Sequence, residues 1–402
     1  MFGTFLLSTA GDELARVALT VLVYQRTSSP LLSALTFAIS HFPWLIGGPL
    51  LSTLADRLPR HRVLIATDVA RAVLLAVMAI PGVPLPVLLG LLLVVSLCAP
   101  PFESARSALM ADVLDGERYA VAISLTTVTL QVAQVAGFLL GGALVALHPS
   151  LALGIDAATF ALSAVWLSAR LQRRPAPAPP EAGTSLWQDA ATGLRFLLGT
   201  RRMLAIIAVT WLGALFGSAW EGIAAPLGAE LGRGSAAIGV LLAANPAGVV
   251  VGGLLLGRLV PPERRERLVV PLVILSLLPL LAAGVVTGVG GVEASTFPTV
   301  LALLFVSGLG ASWLIPLNIS FVQATPAALR GRAFGVAVSG LYGVQGIGAL
   351  AAGLGAEGVA PSTVLALCGG LGMIVVAPAL VAYGRTQHRA SAATDAEGAP
   401  RE

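Results

Sequence analysis

The sequence predicts an all-α polytopic membrane protein, with twelve transmembrane helices in two pseudo-symmetric six-helix bundles. Three observations support this prediction. The composition is strongly apolar, apolar stretches long enough to cross a membrane recur along the chain, and the arginines lie in alternate connections between those stretches. Together they indicate a lipid environment for most of the chain.

The composition is too apolar and too poor in charge for a soluble protein. Of the 402 residues, 56% are hydrophobic and 11% are charged, with a mean hydropathy of +0.90, whereas soluble domains carry about 25% charged residues. The chain has no lysine, and all 24 basic residues are arginines. Their positions follow the membrane pattern, so the basic charge does not indicate a nucleic acid partner.

The apolar stretches set the number of membrane crossings. A bilayer core about 30 Å thick is crossed by about 20 helical residues, and clusters of glycine, proline and charged residues separate stretches of that length. The predicted spans are 2–24, 31–54, 62–82, 85–110, 119–147, 149–169, 203–229, 236–257, 267–288, 298–322, 333–356 and 361–383.

The arginine distribution predicts the orientation of these spans. With residue 1 in the cytoplasm, the inner loops and tails hold nineteen arginines, and the outer loops hold only Arg26 and Arg233. Cytoplasmic loops of membrane proteins carry such an excess of basic residues, so we expect both termini in the cytoplasm. The first apolar run lacks a basic leader and a cleavage site, so we interpret it as the first span rather than a signal peptide.

The longest polar stretch divides the chain into two halves. We predict an N-terminal bundle at 1–170, a cytoplasmic linker at 171–202, a C-terminal bundle at 203–384 and a disordered cytoplasmic tail at 385–402. Within the linker, Trp187, Ala191, Leu194 and Leu198 recur at helical spacing, as in a short helix lying on the inner membrane surface. An ordinary linker is equally compatible with this pattern.

The two halves are weakly repeated in sequence. At an offset of 215 residues, Pro101 aligns with Pro316 and Glu103 with Asn318, and "YAVAIS" aligns with "FGVAVS". At an offset of 205 residues, "GGPLL" in span two aligns with "GGLLL" in span eight. Two repeated six-span halves with a central linker resemble the major facilitator superfamily over essentially the whole chain.

The loop after span two carries a local motif of that superfamily. The segment "STLADRLPRHR" at 52–62 resembles the form G-x-L-A-D-R-x-G-R-R, with Asp56, Arg57, Arg60 and Arg62 in place and both glycines replaced. The resemblance implies that these charges hold helix ends together in one state and release them during the conformational switch. The alternative is a set of topological arginines with one incidental acid.

A second motif lies near the end of span five. Gly137, Gly141 and Gly142 resemble the G-P-x-x-G-G segment of antiporting members, with Phe138 in place of the proline. Small residues at this spacing let helices approach closely. With 45 glycines in the chain, ordinary helix packing is the alternative to an antiport motif.

Segments in the first half, such as "LVYQRTSSPLLSAL", resemble the bacterial efflux branch that contains the enterobactin exporter and macrolide-efflux-type proteins. This resemblance implies a monomeric transporter in the bacterial cytoplasmic membrane, in contact with lipid, that exchanges protons for a small-molecule substrate. It implies no cofactor. A lysophospholipid flippase or an uptake carrier of the same fold is the alternative.

Three charges in the middle of span one are the first candidates for proton coupling. A charge at mid-bilayer costs about 2.5–3.5 kcal/mol, so Asp12, Glu13 and Arg16 must face the protein interior. Both acids are within helical reach of Arg16, and one arginine cannot neutralise two carboxylates. We therefore expect the surplus acid to bind a proton near neutral pH. The alternative is a static ion-pair cluster.

Further ionisable residues follow a helix break or lie in predicted spans. Glu103 and Arg106 come directly after the proline pair in span four, and Glu221 lies in span seven. We add these three to the proton-coupling candidates, whereas we interpret Asp68 and Arg71 of span three as a structural pair. In the superfamily, spans one, four, seven and ten line the central cavity. The predicted cavity residues are Trp220, Trp313, Asn318, Gln131, Gln134, Tyr342, Gln345 and Asp156.

Other classes of function receive little support from the sequence. The four histidines are scattered, and the two cysteines lie in apolar runs, so no catalytic or metal-binding spacing is present and we predict neither an enzyme nor a metal site. No phosphate-binding loop for ATP is evident. A cavity with few polar groups favours a hydrophobic or amphipathic substrate. A receptor on the same fold stays open as a further alternative.

Overall fold

The computed structural model describes residues 2–113, 116–171, 186–326 and 329–397. In the first half of the chain the helices are α1 Phe2–Thr27, α2 Pro30–Arg57, α3 Arg60–Met78, α4 Leu85–Leu97, α5 Ala99–Val113, α6 Gly116–Leu147 and α7 Pro149–Arg170. In the second half they are α8 Leu186–Gly199, α9 Arg201–Gly217, α10 Ala224–Glu230, α11 Ser235–Leu259, α12 Pro262–Arg265, α13 Val269–Gly290, α14 Thr296–Ala311, α15 Leu314–Ala324, α16 Arg330–Gly358 and α17 Pro361–Glu397.

Among the described residues, these helices group into twelve segments that correspond to the twelve predicted spans. Four crossings consist of two helices each, namely α4 with α5, α9 with α10, α12 with α13, and α14 with α15, and α8 is an additional short helix. Nine crossings of the described chain are long and apolar enough to span a membrane. Large aliphatic side chains such as Leu254 and Ile374 are exposed on the outer surface, where lipid is the compatible solvent. The protein is therefore a multi-pass membrane protein.

Two crossings are interrupted where polar groups enter the interior. Helix α4 ends at Leu97 and α5 begins at Ala99, directly before Pro100 and Pro101, because proline removes a backbone donor and crowds the preceding turn. A short 3-10 segment, Ala219–Ile223, separates α9 from α10. These breaks position Glu103 and Glu221.

The two halves meet closely at one end of the bundle. Helix α6 contacts α11 backbone to backbone, since a Cβ atom at Gly142 would lie 2.7 Å from the Cα atom of Gly239. Near the turn between α1 and α2, the Leu31 amide donates to Glu357 at the end of α16 over 3.0 Å. In the predicted orientation this end faces outward.

The linker helix and the C-terminal tail show where the structure refines the prediction. Helix α8 buries Gly193 and Leu197, while Leu194 and Leu198 of the predicted membrane face are exposed; the side chain of Trp187 lies outside the described residues. The tail from residue 385, which we expected to be disordered, continues α17 to Glu397. The segment contains neither glycine nor proline between Arg385 and Glu397, so nothing local ends the helix.

Candidate functional site

Asp12 and Glu13 are adjacent in α1 but belong to different charge clusters. The Glu13 Oε2 atom is 2.7 Å from the Nη1 atom of Arg16, whereas the Asp12 Oδ2 atom is 3.8 Å from the Nη1 atom of Arg71 in α3. Both acids lie within electrostatic range of Arg16, but the ion pair of Arg16 is with Glu13 and that of Asp12 is with Arg71. Consecutive helical residues point about 100° apart, so the two carboxylates leave α1 on different sides.

The central cluster consists of Glu13, Arg16, Glu103, Arg106 and Glu221. Arg106 forms a double hydrogen bond with Glu103, in which the Nε atom donates to Oε2 over 3.0 Å and Nη2 donates to Oε1. Glu221 comes from the second half and lies within electrostatic range of Glu13 and Arg16. Both halves of the protein therefore contribute charge to the same interior space.

An aromatic row lies beside the central cluster. Phe37, His41 and Trp44 of α2 occupy one helical face, and Tyr342 of α16 completes the row. The ring centres are 4.5 Å apart for Phe37 and His41, 5.8 Å for His41 and Tyr342, and 4.8 Å for Tyr342 and Trp44. Tyr342 lies within electrostatic range of Glu103 and Arg16, so the aromatic row and the central cluster adjoin.

Phe37, His41 and Trp44 were not predicted from the sequence as site residues. Their spacing of four and three residues was visible and is typical of one helix face. The same spacing also describes ordinary packing, and only the approach of α16 brings Tyr342 against them. A contact between distant helices leaves no local signal in the sequence.

Several residues predicted to line a cavity take other positions. Trp220 has no exposed surface and Trp313 is buried against Gly213, because both indole rings fill space at helix breaks. Neither lines an open space in this conformation. The side chains of Gln131, Gln134 and Gln345 are partly exposed, and that of Asn318 is exposed.

Asp156 also departs from its predicted place. It is fully buried, and its Oδ1 atom accepts a hydrogen bond from Thr159 over 3.2 Å. A Cβ atom at Gly11 would collide with this carboxylate, so Asp156 packs directly against the backbone of α1. The side chain points between α1 and α7 rather than toward the centre.

The peripheral cluster consists of Asp12, Asp68, Arg71 and Asp156. Asp68 is fully buried and accepts a hydrogen bond from Ser163 over 2.6 Å. The Cζ atom of Arg71 lies 5.4 Å from the ring centre of Phe102 and 5.1 Å from that of Phe160. Arg71 is therefore close to two aromatic rings and lies within electrostatic range of all three acids of the cluster.

A model of the Major Facilitator Superfamily matches residues 1–286, more than two thirds of the chain. The chain belongs to this superfamily of transporters. No curated protein sequence matches the chain.

Solved structures agree with this membership at the level of the fold. A variant of the nucleoside transporter NupG is similar with a TM-score of 0.75 and 13% identity, covering 94% of this chain and 98% of that one. A peptide transporter POT variant in complex with alafosfalin gives 0.73 and 16%, covering 96% and 93%. A bacterial homologue of the human lysosomal transporter Spinster, inward-facing and unoccupied, gives 0.64 and 15%, covering 95% and 91%. Identities this low indicate the fold alone.

In this Major Facilitator Superfamily member, the glycine motif of α6 adjoins both the central cluster and the second half. A Cβ atom at Gly137 would lie 2.5 Å from the Ala10 carbonyl oxygen and 2.6 Å from the Cβ atom of Glu13. Gly141 packs in the same way on Leu14, and Gly142 packs on α11. The motif thus allows α6 to lie against the charged turn of α1.

The switch motif of the superfamily is only partly described. The side chains of Asp56 and Arg57 lie outside the described residues. Arg60 Nη1 donates to the Ala108 carbonyl oxygen over 3.1 Å, which ties α3 to α5, and Arg62 is exposed. In the part of the chain that the structure describes, no three His, Cys, Asp or Glu side chains are grouped as metal ligands.

Proposed function

We propose that this superfamily member is a proton-coupled secondary transporter that exports hydrophobic or amphipathic small molecules by alternating access. It works as a monomer in the bacterial cytoplasmic membrane, surrounded by lipid, with both termini in the cytoplasm. The observation that carries the proposal is the central cluster, in which Glu13 and Arg16 of the first half lie within electrostatic range of Glu221 of the second half, and Tyr342 of the second half lies within range of Glu13, Arg16 and Glu103.

Charges shared between two moving halves can couple proton binding to conformation. Rotation of one half against the other changes the distance from Glu221 to the Glu13–Arg16 pair, and so changes the free energy of each charged state. The halves are in contact at the end where Leu31 meets Glu357. We infer that this conformation is closed to the outside and open to the cytoplasm.

The aromatic row supports an amphipathic substrate with an aromatic or apolar body. Aromatic side chains bind such molecules over a large apolar area, and the acids within electrostatic range of Tyr342, Glu103 and Glu13, can attract a cationic group beside them. The known substrates of the similar structures, nucleosides and peptides among them, are not carried over, because the identities of 13% and 16% indicate only the fold.

Reconstitution into proteoliposomes tests the proposal. Lipophilic cations, macrolides, siderophores and lysophospholipids are added one at a time, and a dye sealed in the vesicles reports the internal pH. We expect at least one compound to move against the direction of proton movement, with loss of its accumulation when an uncoupler collapses the gradient.

Glu103→Gln in the central cluster should abolish that accumulation, and Glu293→Gln, an exposed loop acid, should leave it unchanged. Movement of substrate and protons in the same direction would instead identify an uptake carrier. Lysophospholipid movement without a proton gradient would support a flippase. Either result contradicts the proposal.

A further inference from the structure

The peripheral cluster has more acids than its surroundings can neutralise. Asp12, Asp68 and Asp156 face one guanidinium, that of Arg71, so the fully ionised cluster carries two surplus negative charges. The other arginine within electrostatic range of Asp12 is Arg16, which is paired with Glu13. The Cys98 thiol, at the junction of α4 and α5, also lies beside Arg71 and is uncharged as a thiol.

Burial makes this surplus costly. Asp68 and Asp156 have no exposed surface, and only 4% of the Arg71 side chain is exposed. An unpaired charge in such a place is disfavoured unless it is neutralised. The side chains of Asp68 and Asp156 therefore need a cation, or need to become uncharged.

Buried atoms without a hydrogen-bond partner indicate what kind of ligand the cluster binds. The Oδ1 atom of Asp68, the Oδ2 atom of Asp156 and the Nε atom of Arg71 have no hydrogen-bond partner among the described residues, although all three are buried. A proton on one carboxyl group converts an acceptor into a donor and removes one negative charge. A single proton therefore halves the surplus charge and turns one of the two unpartnered carboxylate oxygens into a donor.

Asp12 is the most exposed acid of the cluster. The Asp12 side chain keeps 40% of its surface exposed, whereas Asp68 and Asp156 have none, and it lies within electrostatic range of both. A proton that enters or leaves the cluster would therefore do so at Asp12.

We propose that Asp12, Asp68 and Asp156 around Arg71 form a proton-binding site between α1, α3 and α7, adjacent to the central cluster, and that Asp156 holds the proton, because its hydrogen bond from Thr159 is long, at 3.2 Å, whereas the Asp68 carboxylate accepts one from Ser163 over 2.6 Å. The use of this proton for transport rests on the proposed function, whereas its binding does not. Because α1 carries Asp12 on one side and Glu13 on the other, proton binding at the peripheral cluster can alter the position of the central Glu13–Arg16 pair.

Infrared titration of the full-length protein in lipid nanodiscs tests the site without any substrate. Between about pH 5 and about pH 9, we expect the carbonyl band of a buried protonated carboxyl group to appear as the pH falls and to shift in heavy water. Asp156→Asn should abolish this band, because the amide is isosteric with the protonated acid and cannot titrate. Glu293→Gln should retain it.

Asp68→Asn is the second variant in case Asp156→Asn does not fold, and it should shift the midpoint of the band or abolish it. The inference is overturned if wild type shows no such band, or if folded Asp156→Asn and Asp68→Asn both keep an unchanged band. Loss of the band in Glu13→Gln or Glu103→Gln alone would place the proton in the central cluster. Its displacement by sodium at constant pH would indicate a sodium site.

The two proposals can fail separately. If the band depends on Asp156 but vesicles show no proton-driven transport, the proton site stands and the proposed function fails. If transport is proton-driven but Asp156→Asn keeps both the band and the coupling, the proposed function stands and this site is wrong.

Discussion

The central and peripheral clusters start from adjacent residues of one turn of α1, about 100° apart, and both contain buried charges. In the peripheral cluster 40% of the Asp12 side chain is exposed, while Asp68, Arg71 and Asp156 are almost completely enclosed. In the central cluster 20% of the Arg16 side chain is exposed, while Glu13 and Arg106 are buried. The clusters differ in their balance of charge, because three acids face one arginine in the peripheral cluster and three acids face two arginines in the central cluster.

The same contrast separates two mechanical roles. The central cluster joins residues from both halves, so its energy changes when the halves move. The peripheral cluster joins three helices of one half, so its energy changes with protonation even if the halves stay fixed. Coupling would require α1 to transmit one change to the other.

Removing the arginine of the peripheral cluster should have the largest effect. Arg71→Ala leaves three acids around an empty position and should destabilise the protein by about 3–5 kcal/mol, the range for breaking a buried ion pair. Thermal unfolding in detergent measures the loss. Arg170→Ala, which removes an exposed arginine stacked on Trp166, should cost less than about 1 kcal/mol.

A second substitution sharpens this result. Adding Asp68→Asn to Arg71→Ala should restore part of the stability, because one unpaired buried acid is removed and the two sites are coupled. Strict additivity of the two effects would show that Asp68 does not depend on Arg71.

Crowding the contact between α1 and α7 should have the next largest effect. Gly11→Ala places a methyl group on the Asp156 carboxylate, and overpacking of this kind costs about 1–3 kcal/mol. Gly90→Ala is the matched control, since a Cβ atom there meets nothing within 4 Å. Equal melting temperatures for the two variants would contradict the close packing of Asp156.

Removing Arg16 of the central cluster should cost less than removing Arg71. Arg16→Ala leaves Glu13 without its ion-pair partner, whereas Arg71→Ala leaves three acids without one, and the Arg16 side chain is itself 20% exposed, so we expect a loss of about 1–2 kcal/mol, between the values for exposed and buried pairs. The measurement is the same unfolding experiment. If Arg16→Ala proved as damaging as Arg71→Ala, the balance of charge would not distinguish the two clusters.

Removing a single hydrogen bond of the peripheral cluster should have the smallest effect. Ser163→Ala takes away the donor to Asp68 and should cost about 1 kcal/mol. Ser168→Ala on the same helix, whose hydroxyl is exposed and bonds only to the Val165 carbonyl, should be close to neutral. If Ser163→Ala left the stability unchanged, the hydrogen bond from Ser163 to Asp68 would not stabilise the folded protein.

The overall fold was largely predictable from the sequence because hydrophobicity and arginine placement report the number of crossings directly. The interruptions at Pro100 and Pro101 were also readable, since proline acts locally. The helical extension of α17 beyond residue 385 was not predicted, because a polar composition suggested disorder while the absence of helix breakers allowed a helix.

The residues of the candidate site could be predicted from the sequence, but the ion pairs between them could not. Charges in apolar stretches drew attention to Asp12, Glu13, Glu103 and Glu221, whereas the partner of Asp12 lies 59 residues away in α3. Helical spacing indicated Arg16 as the ion-pair partner of Asp12, because spacing along one helix does not show which helix packs beside α1. Asp68 and Arg71, interpreted as a structural pair, are joined by Asp12 and Asp156 only in three dimensions.

The contact between Gly142 of α6 and Gly239 of α11 limits how the two halves can rotate against each other. It lies near one end of α6, so about 26 residues, or about 39 Å at 1.5 Å per residue, extend from Gly142 back to Gly116. If this contact acts as a fulcrum, a rotation of about 15°, as in known rigid-body transitions, moves the far end of that arm by about 10 Å. A small rotation at a contact between two glycines can thus displace the distant end of α6 far enough to open a passage for a small molecule.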